Sequence, residues 1–137
     1  MLQNESRLQV VDNSGALEIL VIRCLEGSNR RYSYIGNVVV ATVKKVNPKA
    51  DNVKRGIVKK GQVFKALIVN TRNRSPRNRN VWIRFSENCA LLLKEEKDEL
   101  LLMGTRIFVP LTAPLEKQWQ ARGKKYKSFL SLAPKIL

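Results

Sequence analysis

The chain has 137 residues, of which 44% are hydrophobic; 26 Lys and Arg stand against 11 Asp and Glu, so the formal net charge is +15. This length accommodates one domain with a modest core, and the hydrophobic fraction excludes wholesale disorder. The sequence contains no histidine, which excludes Ser–His and Cys–His catalysis, while the positive charge is typical of proteins that bind nucleic acid or an anionic membrane surface.

The first part of the chain predicts short strands joined by turns. Residues 8–10 alternate in polarity, and Asp12-Asn13-Ser14-Gly15 favours a tight reversal. A metal or phosphate loop is the weaker interpretation of this turn, because the acidic ligands of a calcium loop are absent. Residues 17–25 are apolar on both faces, which predicts a strand covered from two sides. The start of the chain resembles neither a signal peptide nor a transit peptide.

Residues 27–32 form a basic turn that holds Arg30, Arg31 and Tyr32. Two guanidiniums and one ring suit phosphate binding and base stacking, and a solvated hairpin tip is the alternative. Residues 38–43 are β-branched and predict the next strand. That strand leads into a basic loop around Asn47-Pro48, with turns at Gly56 and Gly61.

A long central segment is free of negative charge. Between Asp51 and Glu87 there are ten Lys or Arg and no Asp or Glu. Solvated surfaces usually mix both signs, so this segment predicts an interface with a polyanion. Residues 66–93, which overlap this segment, read as a strand, a long basic loop and a returning strand. We expect Pro76 and the neighbouring asparagines to lie in turns. Four guanidiniums crowd this loop: Arg72, Arg74, Arg77 and Arg79.

The C-terminal part begins with an acidic hexapeptide, residues 94–99, which we expect to be an exposed loop rather than a pair of catalytic carboxylates. Residues 100–109 predict a strand. A helix is expected to start at Thr112 or Ala113, with Leu115 and Trp119 on one face and a stop near Gly123. A second short helix is expected through residue 130, and it includes the basic residues Lys124, Lys125 and Lys127.

Five or six short strands with helix only near the end predict a small closed β-barrel. Cys24 and Cys89 stand alone in apolar strands and predict two buried free thiols. No apolar run approaches the roughly 20 residues of a membrane span. We therefore expect a single domain over residues 1–137, with a barrel over about 1–110 and a helical segment over about 111–137.

Six stretches resemble the universal large-subunit ribosomal protein fourteen family, in its bacterial and organellar branch. They are VVDNSGA, GSNRRYSYIGNVVVATVK, VKKGQVFKALIV, VWIRFSENCALLL, MGTRIFVP and SLAPKIL, and they follow the family's order over nearly the whole chain. The resemblance implies a mainly β fold, a five-stranded barrel with a projecting β-ribbon and short C-terminal helices. It also implies a structural constituent of the large ribosomal subunit without cofactor or metal.

The same resemblance implies partners and a location. The family binds large-subunit rRNA, packs against neighbouring ribosomal proteins and touches small-subunit rRNA in an intersubunit bridge. Its bacterial and organellar members receive a ribosome-silencing factor at positions that correspond here to Thr105 and Arg106. The loop at residues 47–55 and the segment at 116–127 are longer than usual and basic. This divergence favours an organellar ribosome, in a mitochondrion or plastid, over a bacterial one.

The residues and the resemblance together predict binding without catalysis. A free-standing oligonucleotide-binding barrel, acting as chaperone or translation factor, is the alternative, although the nine aromatics are scattered. A nuclease lacks histidine, clustered carboxylates and a glycine-rich phosphate motif. The residues predicted to contact rRNA are Arg30, Arg31, Tyr32, Lys44, Lys54, Arg55, Lys59, Lys60, Arg72, Arg74, Arg77, Arg79, Arg84, Lys124, Lys125 and Lys127.

Overall fold

The structure, a computed structural model, describes residues 2–121 and 132–137. In chain order its elements are β1 (Arg7–Val10), β2 (Ala16–Cys24), β3 (Val38–Val46), α1 (Asp51–Lys54), β4 (Val63–Asn70), β5 (Ser75–Asn78), β6 (Val81–Ile83), β7 (Cys89–Glu96), β8 (Glu99–Leu102) and α2 (Ala113–Ala121). The mainly β fold with short helices matches the prediction.

Five strands close into a barrel in the order β1-β2-β3-β4-β7. Closure comes from β1 and β7, which pair in parallel with Gln9 opposite Cys89 and Val10 opposite Ala90. The other barrel pairs are antiparallel. Strands β5 and β6 form a separate two-stranded ribbon that leaves the barrel between β4 and β7. The closed barrel and the ribbon are both confirmed.

The period-two pattern of β4 and β7 divides the apolar residues between two cores. Ala66, Ile68 and Leu92 belong to the barrel interior, to which all five barrel strands contribute. Leu67 and Leu91 face outward and pack in a second cluster that includes the helix α2. These two strands are therefore apolar on both faces because both faces are covered.

Strand β2 does not have this double cover. Leu17 and Ile22 on its outer face are about half exposed, at 49% and 45%, whereas Ile19 and Val21 are buried in the barrel. The prediction that this strand is covered from two sides is wrong, because the helix and the C-terminal residues cover the β4–β7 side instead. Cys24 and Cys89 are buried free thiols, as predicted.

Two further expectations for the C-terminal half need correction. The acidic hexapeptide is not a loop: β7 and β8 continue through it and reverse at Lys97 and Asp98, both with positive φ. Residues 104–109 do not form a strand, and only Ile107 makes an isolated bridge, with Asp12. The helix α2 begins at Ala113 as predicted. The expected stop at Gly123 and the second helix lie outside the described residues.

Candidate nucleic-acid interface

The ribbon carries part of the predicted cationic loop away from the barrel. Pro76 lies inside β5 opposite Trp82 rather than in a turn, and the reversal falls at Arg79 and Asn80. Proline is tolerated there because a two-stranded ribbon has an open edge that needs no amide donor. Arg77, in β5, and Arg79 at the tip are both exposed. The ribbon therefore presents these two guanidiniums to solvent.

Arg72 occupies the root of the ribbon and has a second role. Its Nε donates to the Ser86 carbonyl at 2.8 Å, and its backbone N–H donates to Asn88 Oδ1 at 2.8 Å. Arg84 is exposed and lines a small cavity with Arg72. The Nε contact leaves the two terminal nitrogens of Arg72 without a hydrogen bond to any described residue. Arg72 can therefore join the segment after β4 to the segment before β7 while its terminal nitrogens bind an external anion.

The loop between β2 and β3 uses its first arginine internally. Arg30 donates from Nε to the Tyr32 carbonyl at 2.9 Å, and from its terminal nitrogens to the Glu26 carbonyl and Asn37 Oδ1 at 3.1 Å each. Arg30 is half-buried, so its guanidinium orders the loop. Arg31 and Tyr32 are exposed and lie together along one groove. This pair keeps the fork and the ring that the sequence predicts.

The segment between β3 and β4 contributes further cations. Lys44 is half-buried in β3, Lys54 ends the single turn of α1, and Arg55 follows it; both of the latter are exposed. Lys59 and Lys60 are exposed beside the turn at residue 61. The other predicted contacts, Lys124, Lys125 and Lys127, lie outside the described residues.

The ion pairs of the described residues involve cations other than those predicted to contact rRNA. Within the described part of the chain there are four ion pairs, and they join Arg7 and Lys45 to Glu18, Lys65 to Glu95, and Lys94 to Glu96. None of the described cations predicted to contact rRNA takes part in any of them. Apart from Arg30, whose guanidinium is bonded within the β2–β3 loop, these cations therefore keep their charge available to an external anion.

The turn at residues 12–15 supports a different surface. Asn13 Oδ1 accepts the backbone N–H groups of Thr105 and Arg106 at 2.7 and 3.0 Å, and Asn13 Nδ2 donates to Thr105 Oγ1 at 2.9 Å. Gly15 has a φ of +105°, and a Cβ there would lie 2.8 Å from a methyl carbon of Val53. This turn needs glycine, and it holds Thr105 and Arg106 in place with both residues exposed.

Burial raises the pKa of two groups, the Asp12 carboxyl in this turn and the Cys89 thiol at the start of β7. Burial raises the pKa of the Asp12 carboxyl, against hydrogen bonds from Ser14 and from the Leu92 N–H at 3.1 Å. Burial, together with the nearby Glu87 carboxylate, raises the pKa of the Cys89 thiol to about 11. Such a thiol is a poor nucleophile. At the barrel surface, a hydrogen bond from Arg7 lowers the pKa of Glu18.

Neither a cluster of potential metal ligands nor a membrane-spanning helix is found in the part of the chain that the structure describes. No group of three or more potential ligands comes together in residues 2–121 and 132–137. No helix in that part of the chain is long and apolar enough to cross a membrane.

Sequence reasoning missed one feature of the surface. Tyr34, Trp82 and Arg74 line the same groove between the ribbon and α2. The sequence held two indications of these exposed rings. Trp82 occupies the face of β6 opposite to Ile83, and Tyr34 follows a basic turn. Two aromatics on separate segments can be assigned to one groove only once the fold is known.

The closed barrel and its cationic ribbon define the class of this chain. It is a small basic β-barrel protein with exposed Lys and Arg side chains that can bind an anionic partner. A comparison with known protein families matches residues 1–137 to the family described as Ribosomal protein L14p/L23e. The chain belongs to this family, as the sequence resemblance indicated. It is therefore a structural protein of the large ribosomal subunit, and its family is not a family of enzymes.

Proposed function

We propose that the protein binds large-subunit rRNA through the ribbon, the β2–β3 loop and the segment between β3 and β4. The observation that carries this proposal is the absence of acidic residues between Asp51 and Glu87, where every described cation except Lys65 lies outside the ion pairs of the described residues. Lys and Arg that neutralise phosphates release counterions, which supplies much of the binding free energy. Closure of the barrel holds the loops in position before RNA arrives.

We further propose that Thr105 and Arg106 belong to a surface that faces the small subunit and its rRNA. Three hydrogen bonds between the Asn13 side-chain amide and these two residues hold their backbone in an exposed position, so the backbone is ordered before a partner binds. A ribosome-silencing factor would compete for the same surface. We also propose that the chain packs against neighbouring ribosomal proteins and that its host particle is an organellar ribosome.

Sedimentation of the tagged chain from gently lysed source cells tests the rRNA part. The protein should remain with the large subunit through a salt wash, and replacing Arg77 and Arg79 by Gln should lower its incorporation. Lys94→Ala is the matched control, since Lys94 lies on the acidic hairpin and is paired with Glu96 at 3.0 Å. Recovery of the protein mainly outside ribosomal particles would contradict the proposal and favour a free-standing RNA-binding barrel.

Subunit joining tests the second part. Arg106→Gln should leave incorporation unchanged but reduce the fraction of joined ribosomes at limiting magnesium. Normal joining in this variant would place Arg106 away from the bridge.

A further inference from the structure

A groove of about 760 Å³ separates the ribbon from the helix α2, and its volume lies within the range of roughly 300–1,000 Å³ that is usual for ligand sites. Three parts of the chain form it: the end of the β2–β3 loop, the ribbon, and the first turns of α2. Its walls therefore come from segments that are distant in sequence.

Two exposed rings dominate the lining. Trp82 is 62% exposed and Tyr34 is 51% exposed. Large rings are usually buried, and an aromatic left exposed in a concave site is typical of a binding surface. Each ring offers a flat face on which a base can stack irrespective of its sequence.

The backbone that carries each ring is held in place. The backbone N–H of Tyr34 donates to Asn37 Oδ1 at 2.7 Å, and Trp82 is held in register opposite Pro76. Below them, Gln118 packs closely on Gly36, where a Cβ would lie 2.1 Å from Gln118 Oε1. The groove thus exists before any ligand arrives, which lowers the cost of binding.

The charge of the residues that line this groove indicates the class of ligand that it can bind. No acidic residue lines this groove among the described residues, and Arg74 makes no hydrogen bond or ion pair with any of them. Arg30, the other cation in the lining, is occupied by two carbonyls and Asn37. A free guanidinium beside two rings matches a nucleotide, which pairs a phosphate with a flat base. A peptide would match the charge only if it were acidic.

We propose that this groove is a stacking site for one or two unpaired nucleotides of large-subunit rRNA. Trp82 and Tyr34 supply the stacking faces, and Arg74 binds the adjoining phosphate. The inference rests on the proposed rRNA binding and adds a contact with bases to the phosphate contacts proposed for the ribbon.

Binding of the full chain to a short single-stranded RNA, and to an abasic strand of the same length and charge, tests the site. The wild type should prefer the strand with bases by roughly tenfold for each stacked base. Trp82→Leu and Tyr34→Leu should each reduce that preference. Arg74→Gln should weaken both strands equally and lower the salt slope by about one unit or slightly less.

Phe108→Leu is the matched control, because Phe108 is 61% exposed on another face of the molecule and should not affect the preference. Trp82 emission gives a direct readout: bases should quench it, while Trp119, at 2% exposure, should stay unquenched. Equal affinity of the wild type for the two strands would overturn the inference. So would an acidic peptide that outcompetes the RNA for the groove.

Photocrosslinking in purified large subunits tests the stacking site separately from the proposed function. A crosslink from Trp82 or Tyr34 to an rRNA base supports the stacking site, and a crosslink from them to protein overturns it alone. If the chain is absent from large subunits, the proposed function itself fails.

Discussion

Asn13 holds Thr105 through both ends of its side-chain amide. Oδ1 accepts the Thr105 N–H at 2.7 Å, and Nδ2 donates to Thr105 Oγ1 at 2.9 Å. These bonds join the turn after β1 to a segment that has no strand partner apart from one isolated bridge. The exposed position of Thr105 and Arg106 therefore depends on a side chain far away in sequence.

Asn13→Ala should lower the free energy of unfolding by about 1–2 kcal/mol, since it removes three hydrogen bonds that water can partly replace. Urea unfolding measures this loss, and hydrogen exchange at the Thr105 and Arg106 amides should quicken. Asn4→Ala is the control, because Asn4 is exposed and its side chain bonds to no described residue; its effect should stay within about 0.5 kcal/mol. Equal losses in the two variants would contradict the role of Asn13.

Arg72 and Arg77 should separate stability from RNA binding. Arg72→Ala removes the bond to the Ser86 carbonyl and should cost about 0.5–1.5 kcal/mol of stability. Arg77→Ala should cost almost nothing, since Arg77 is exposed and bonds to no described residue. Each variant should lower the salt slope of rRNA binding by about 0.7–0.9. Thermal unfolding and filter binding at several salt concentrations provide the two measurements.

Asp12→Asn should show the effect of burial on the carboxyl. Because the folded pKa of Asp12 is raised above the ordinary value of 3.8, the fold favours its neutral form. Stability of the wild type relative to the variant should be greatest below that value and should fall as pH rises through the folded pKa. Denaturant unfolding of both proteins across the acidic range measures the difference.

Asp98→Asn, in the exposed turn of the acidic hairpin, controls for the loss of one negative charge. A stability difference between wild type and Asp12→Asn that grows with pH would mean that the hydrogen bonds from Ser14 and Leu92 outweigh burial.

Both thiols should resist alkylation by iodoacetamide in the native protein at about pH 8. Cys89 is 4% exposed and its pKa is raised to about 11, and Cys24 is 3% exposed. Mass spectrometry should detect modification only after denaturation. Rapid modification of the folded chain at either cysteine would show that the barrel opens readily on that side.

Trp119→Ala should lower the free energy of unfolding by about 3–5 kcal/mol, because the ring is 2% exposed and packs in the outer cluster with Leu115. Lys117→Ala, on the exposed side of the same helix, should change stability by less than about 0.5 kcal/mol. If the Ala variant does not fold, Trp119→Phe should still lower the midpoint of urea unfolding. A neutral result for Trp119→Phe would indicate that α2 is not a part of the cooperative unit.

Local patterns predicted those parts of the fold that depend on local chemistry. The β-branched residues of β3, the start of α2 at Ala113 and the positive φ at Gly15 follow from propensities that act within a few residues. The apolar pattern of β4 indicated a strand, and the structure adds that its two faces serve different cores.

Tertiary contacts decided the elements that the patterns missed. Residues 94–99 read as a loop because of their charge, yet the hairpin pairs Glu95 with Leu100, and the Glu95 carboxylate is paired with Lys65 on the adjacent strand β4. Pro76 read as a turn, and an open ribbon edge accommodates it in a strand. The sequence does not distinguish Arg30 from the other arginines predicted to contact rRNA. Only the folded loop brings three acceptors around its guanidinium.

The parallel pairing of Gln9 with Cys89 has a consequence for biosynthesis. β1 ends at Val10 and β7 begins at Cys89, so the ribosome completes β1 long before the strand that closes the barrel. Until then the edge of β1 that later pairs with β7 stays unpaired, and an unpaired strand edge promotes intermolecular pairing. Such a long-range closure also makes folding slow. A chaperone that shields β1 during translation should therefore improve the yield of this protein more than that of a helical protein of equal length.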